Sequence, residues 1–105
     1  MKTDFEKIME VIASVENTTY RRVVDTMPDS KITLDCSLWQ RNIEFNFDSG
    51  KLRCVKVINR GHLCAQIEWS GTFAGAVFSD DHLHLYQNDD RYIKIHLEKG
   101  ILFAK

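Results

Sequence analysis

The stretch His82-Leu83-His84-Leu85-Tyr86-Gln87-Asn88-Asp89-Asp90-Arg91-Tyr92-Ile93-Lys94-Ile95-His96-Leu97 decides how this chain is read. On both sides of Asn88-Asp89-Asp90, aliphatic residues alternate with polar and aromatic ones, the period of a strand with one buried face. Asn and Asp hydrogen-bond their own backbone in turns, so the segment is expected to fold back as a hairpin. Pairing Gln87 with Arg91 across a three-residue loop sets Tyr86 opposite Tyr92, His84 opposite Lys94 and His82 opposite His96. Leu83 then meets Ile95 and Leu85 meets Ile93, so every aliphatic side chain shares one face. A slip of one residue would set leucines against histidines, and the hydrophobic pattern therefore selects this register.

The same period extends back to Asp29-Ser30. Ile32, Leu34, Cys36 and Leu38 alternate with Thr33, Asp35, Ser37 and Trp39, and Ile43, Phe45 and Phe47 alternate with Asn42, Glu44 and Asn46. Turn residues at Asp48-Ser49-Gly50, Asn59-Arg60-Gly61, Ser70-Gly71, Ser79-Asp80-Asp81 and Lys99-Gly100 separate the strands that follow. Such short connections join antiparallel neighbours, because a parallel crossover needs about a dozen residues or more. The expectation is an antiparallel meander of about seven to eight strands over 31–104. A sheet that long must curl, as a sandwich or a partly closed barrel. Around the Asn59 turn, pairing Ile58 with His62 puts Val55, Val57, Leu63, Ala65 and Ile67 on the core face and Cys54, His62, Cys64, Gln66 and Glu68 on the other.

Upstream the period is 3.6. Thr3-Asp4-Phe5-Glu6 has the form of a capping box, and Phe5, Ile8, Met9, Ile12 and Val15 make one apolar stripe of a helix. Asn17 or Thr18 can cap a second, shorter helix carrying Tyr20, Val23, Val24 and Met27, ended by Pro28. The β-branched pairs Thr18-Thr19 and Val23-Val24 leave a strand open there. The fold class is α+β: a helix or helical pair over 3–27 packed on the meander, in a single domain 1–105.

With 14 Lys+Arg against 15 Asp+Glu, the chain has no general attraction to nucleic acid or anionic lipid, since phosphate binding depends on clustered cations. No run approaches the ~18 apolar residues of a membrane span, and charged residues interrupt the start where a secretory leader needs an apolar core. A cytoplasmic location with no membrane partner is expected. Cys36, Cys54 and Cys64 have no C-x-x-C spacing and read as reduced thiols acting as small buried hydrophobes. G-x-S-x-G, Walker and H-E-x-x-H patterns are missing, and Gly71-Thr72-Phe73-Ala74-Gly75 precedes a strand rather than the helix N-terminus that would hold phosphate. The expectation is a protein that is not an enzyme and carries no cofactor.

The hairpin's polar face is where function is expected. His82, His84, Tyr86, Tyr92, Lys94 and His96, with Asp89 and Asp90 at the tip, are the partner-binding candidates. Aromatic anchors rimmed by charges match the composition of protein interfaces. The favoured reading is a small inhibitor or immunity-type protein that neutralises another protein, such as a bacterial toxin. Two alternatives stand beside it. His82, His84 and His96 can converge on a zinc ion with its fourth position open to water, which suits a hydrolase, a hydratase or a metal sensor. A β-barrel could instead hold a small apolar ligand between helix and sheet. The facing His82 and His96 also suggest a pH-sensitive pair.

Overall fold

The computed structural model describes residues 2–13, 21–24, 31–36, 40–69, 73–79, 82–88, 91–97 and 99–104. Helix α1 (Asp4–Ala13) starts at the expected capping box. The Glu6 amide donates to Thr3 Oγ1 at 3.2 Å, and Glu6 Oε1 accepts from the Thr3 amide at 3.1 Å. The Thr3 amide first, and then the Thr3 hydroxyl, which donates to the same Glu6 Oε1 at 3.2 Å, hold the Glu6 carboxyl below the ordinary value. Ile8 and Ile12 are buried, Phe5 and Met9 pack against the core, and Glu6 and Glu10 face water. Val15, the last residue of the expected stripe, lies outside the described residues.

The expected second helix is corrected. Arg21–Val24 forms strand β1, paired antiparallel with β2 (Lys31–Cys36) from Arg21 opposite Asp35 to Val24 opposite Ile32. Val23-Val24 is stiff at χ1 and suits a pleated surface, and the open edge of β2 supplies the partner that a helix there would have left unpaired. Tyr20, Met27 and Pro28 lie outside the described residues, as do Leu38 and Trp39.

β1 and β2 continue into β3 (Arg41–Asp48), β4 (Lys51–Asn59) and β5 (His62–Glu68), giving a five-stranded sheet in chain order. A second sheet holds β6 (Gly75–Ser79), β7 (His82–Asn88), β8 (Arg91–His96) and β9 (Gly100–Ala104), again in chain order. The two sheets hold nine strands among the described residues, eight of them within 31–104 and β1 before that range. All pairings are antiparallel, as expected. The strands form two separate sheets, so the partly closed barrel is also corrected. Trp69 and Phe73 flank the passage from one sheet to the other, both buried, with ring centroids 5.8 Å apart.

One core lies between the layers. It takes Ile32, Leu34, Cys36, Ile43, Phe45, Phe47, Leu52 and Val55 from the first sheet and Leu83, Leu85, Ile93 and Ile95 from the second, with Ile8 and Ile12 from α1. Each such aliphatic side chain contributes about 1.5–3 kcal/mol by leaving water. The helix packs on β6 and β4 and is tied to the β3–β4 turn. The Phe5 amide donates to Gly50 O at 3.0 Å, and Asp4 Oδ2 accepts from the Leu52 amide at 2.9 Å. Gly50 sits at φ +82°, and a Cβ there would come within 3.0 Å of Thr3 Cβ. No described helix is long and apolar enough to cross a membrane.

Two bulges shape the first sheet. Phe47 pairs with Leu52 and Asn46 with Cys54, so Arg53 is the extra residue, and both Leu52 and Val55 reach the core. The second bulge corrects the expected Asn59 hairpin. Asn59 pairs with His62 across Arg60-Gly61, at φ 51° and 82°, a two-residue turn with both central residues left-handed. Ile58 then pairs with Leu63 and Val57 with Ala65, leaving Cys64 extra. Leu63 therefore lies on the outer face beside Ile58, 58% exposed, rather than in the core. Cys64 is exposed as well, whereas Cys54, expected on the outer face, is buried like Cys36.

Candidate protein-binding face

β7 and β8 pair as the alternation predicts: His82 with His96, Leu83 with Ile95, His84 with Lys94, Leu85 with Ile93 and Tyr86 with Tyr92. Closure at the tip differs from the expected Gln87–Arg91 pair. Asn88 pairs with Arg91, and a register shift between Tyr86 and Asn88 absorbs Gln87. A shorter loop with one bulged residue keeps the parity of a three-residue loop, so the faces are unchanged. Leu83, Leu85, Ile93 and Ile95 are core, while His82, His84, Tyr86, Tyr92, Lys94 and His96 are half-buried on the opposite face. Asp89 and Asp90 lie outside the described residues.

The rings form a continuous run. His96 meets His82 edge-on at 4.6 Å between centroids, His82 is 6.4 Å from His84, and His84 lies nearly parallel to Tyr86 at 6.2 Å. Tyr86 then meets Tyr92 across the strands, also at 6.2 Å. The two cross-strand pairs, His82–His96 and Tyr86–Tyr92, add stabilisation of about 0.2–1 kcal/mol each. Lys94 sits opposite His84. Burial first, then the charges of Lys94 and His82, push the His84 imidazole below its ordinary value and favour its neutral form.

A residue that the sequence reading left unassigned belongs to this face. β6 runs beside β7 with Ser79 opposite His82, Val77 opposite His84 and Gly75 opposite Tyr86. Val77 is 51% exposed, while its neighbours Ala76 and Phe78 pack against the core. The signal was available: only two residues separate Ser79 from His82 in the sequence, and once those two face each other parity carries Val77 to the outward side.

The zinc alternative meets two obstacles. Among the described residues no three His, Cys, Asp or Glu side chains gather around a metal position. His96 Nδ1 accepts the Lys99 amide at 3.2 Å, which leaves the proton of the neutral ring on Nε2 and no lone pair there for a metal. No protein-family model, curated protein or solved structure matches this chain.

Proposed function

We propose that this chain is a protein-binding module that acts by stoichiometric contact, with the outward face of β6–β8 as its recognition surface. The observation that carries the reading is the unbroken run of rings from His96 through His82, His84 and Tyr86 to Tyr92. Those side chains stand on strands whose opposite face is core, so their directions are set before any partner arrives. Rings have few torsions to lose, and binding through them costs little side-chain entropy. Val77 adds apolar area beside them and Lys94 adds a charge that orients an incoming surface. Acidic and basic residues are nearly equal in number, which favours a protein over a nucleic acid. Neutralisation of a partner protein, in the manner of an immunity protein, is the role that suits a one-domain chain recognising its target through such a face.

Affinity capture from a native extract of the source cells tests this, with the unmodified chain compared with Tyr86→Ala and Val77→Asp. The expected result is one protein recovered in stoichiometric amount by the unmodified chain and lost from both variants, with circular dichroism unchanged. Equal recovery by all three chains refutes the proposed face.

A further inference from the structure

Resting on the reading that this face binds a protein, we infer that the partner presents a carboxylate that seats at the His84–Lys94 pair, and that His84 takes up a proton from solvent as it does so. The pair lies at the centre of the face. His84 stands between Val77 on β6 and Lys94 on β8, with His82 and Tyr86 before and after it on its own strand. Lys94 pairs in turn with Phe103 of β9. None of these neighbours is a carboxylate, and no ion pair to Lys94 occurs among the described residues. The acids nearest in sequence, Asp80, Asp81, Asp89, Asp90 and Glu98, stand at least three residues along the chain from either member of the pair.

The centre of the face therefore combines a permanent cation with an imidazole kept neutral by burial and by that cation. A carboxylate docked against Lys94 reverses the sign of the local field. An opposite charge within ~4–6 Å favours the charged form of a titrating group, against the depression that burial, Lys94 and His82 impose. His84 then donates to the carboxylate as an imidazolium, and complex formation consumes a proton. Binding linked to uptake of one proton tightens by at most about tenfold per pH unit on acidification. Val77, beside His84, excludes water from one side of the contact and strengthens it. Nucleic-acid phosphate fits less well, because it depends on several clustered Lys and Arg and the described part of this face offers one lysine.

Nuclear magnetic resonance titration with short poly-L-glutamate tests the inference at about pH 5.5 and about pH 7.5, where its carboxyls remain ionised. The expected result is amide shifts centred on Val77, His84 and Lys94, with binding about threefold to tenfold tighter at the lower pH. His84→Gln should bind without that pH dependence, and Lys94→Gln should bind more weakly at both pH values, each with the dispersed spectrum of the folded chain. Shifts centred elsewhere, or binding of equal strength at both pH values, overturn the inference. So does oligothymidylate moving the same amides as strongly, since phosphate would then be the preferred anion. If poly-L-glutamate leaves the face unmoved while Tyr86→Ala still abolishes capture of a partner, the carboxylate alone is refuted. If Tyr86→Ala also leaves capture intact, the binding face itself falls.

Discussion

Neighbouring residues on β7 should respond very differently to the same truncation. Leu85 is fully buried between Ala76 and Ile93, whereas Tyr86 is half-buried on the outward side and faces Gly75 and Tyr92. Leu85→Ala removes the transfer free energy of three carbons, about 2.4 kcal/mol at ~0.8 kcal/mol each. The cavity it leaves between two packed layers raises the expected loss to about 3 kcal/mol. Tyr86→Ala loses a cross-strand aromatic pair on a surface where water can fill the space, about 1 kcal/mol or less. With a urea m-value of about 1.5 kcal/mol/M, the unfolding midpoint should fall by about 2 M for Leu85→Ala and by under about 0.7 M for Tyr86→Ala. Urea titration followed by tryptophan fluorescence and circular dichroism measures both shifts. Leu85→Val, with a smaller loss, preserves the comparison should the alanine variant not fold. A midpoint shift for Tyr86→Ala as large as that for Leu85→Ala would refute the assignment of faces, and the proposed recognition surface with it.

Three further outcomes follow from the same structure. Gly50→Ala should destabilise by about 1–2 kcal/mol, because the left-handed φ and the close approach to Thr3 both oppose a side chain, and thermal unfolding reads the change. His84 is held below its ordinary value of 6.5 in the folded state, so the unfolded chain binds more protons once the pH falls to that region. Its contribution to stability is complete above about pH 6.5 and is lost as pH falls through the lowered folded value; His84→Gln should flatten that part of the stability profile in urea titrations across the range. An alkylating reagent at neutral pH should label Cys64 first in the native protein, read by mass spectrometry. Cys36 and Cys54 are buried, and burial pushes the Cys54 thiol above its ordinary value. Cys54 modified as fast as Cys64 would contradict that placement.

Much of the candidate site was legible in the sequence because alternation is a local property that a strand cannot escape. Leucine and isoleucine at 83, 85, 93 and 95 had to share a face, and that requirement carried His82, His84, Tyr86, Tyr92, Lys94 and His96 to the other. The capping box was legible for a similar reason, since Thr3 and Glu6 satisfy each other within one turn. The same reasoning failed at Val23-Val24, where helical spacing and β-branching gave opposite answers and the open edge of β2 decided. It failed again at Leu63, because alternation assumes that no residue is skipped and Cys64 is skipped.

What the amino-acid order determined unaided was therefore period and parity: one helix from its cap and stripe, antiparallel pairing from short turns, and the side of the β7–β8 hairpin on which its rings emerge. Tertiary structure decided where that parity is broken and how the strands are divided. Arg53 bulges so that Leu52 and Val55 can both fill the space beneath α1 and the second sheet, and Cys64 bulges so that a two-residue turn can close at Arg60-Gly61. The physical reason is that alternation is set by a residue's neighbours in the chain, whereas a bulge is set by the volume that distant elements leave to be filled.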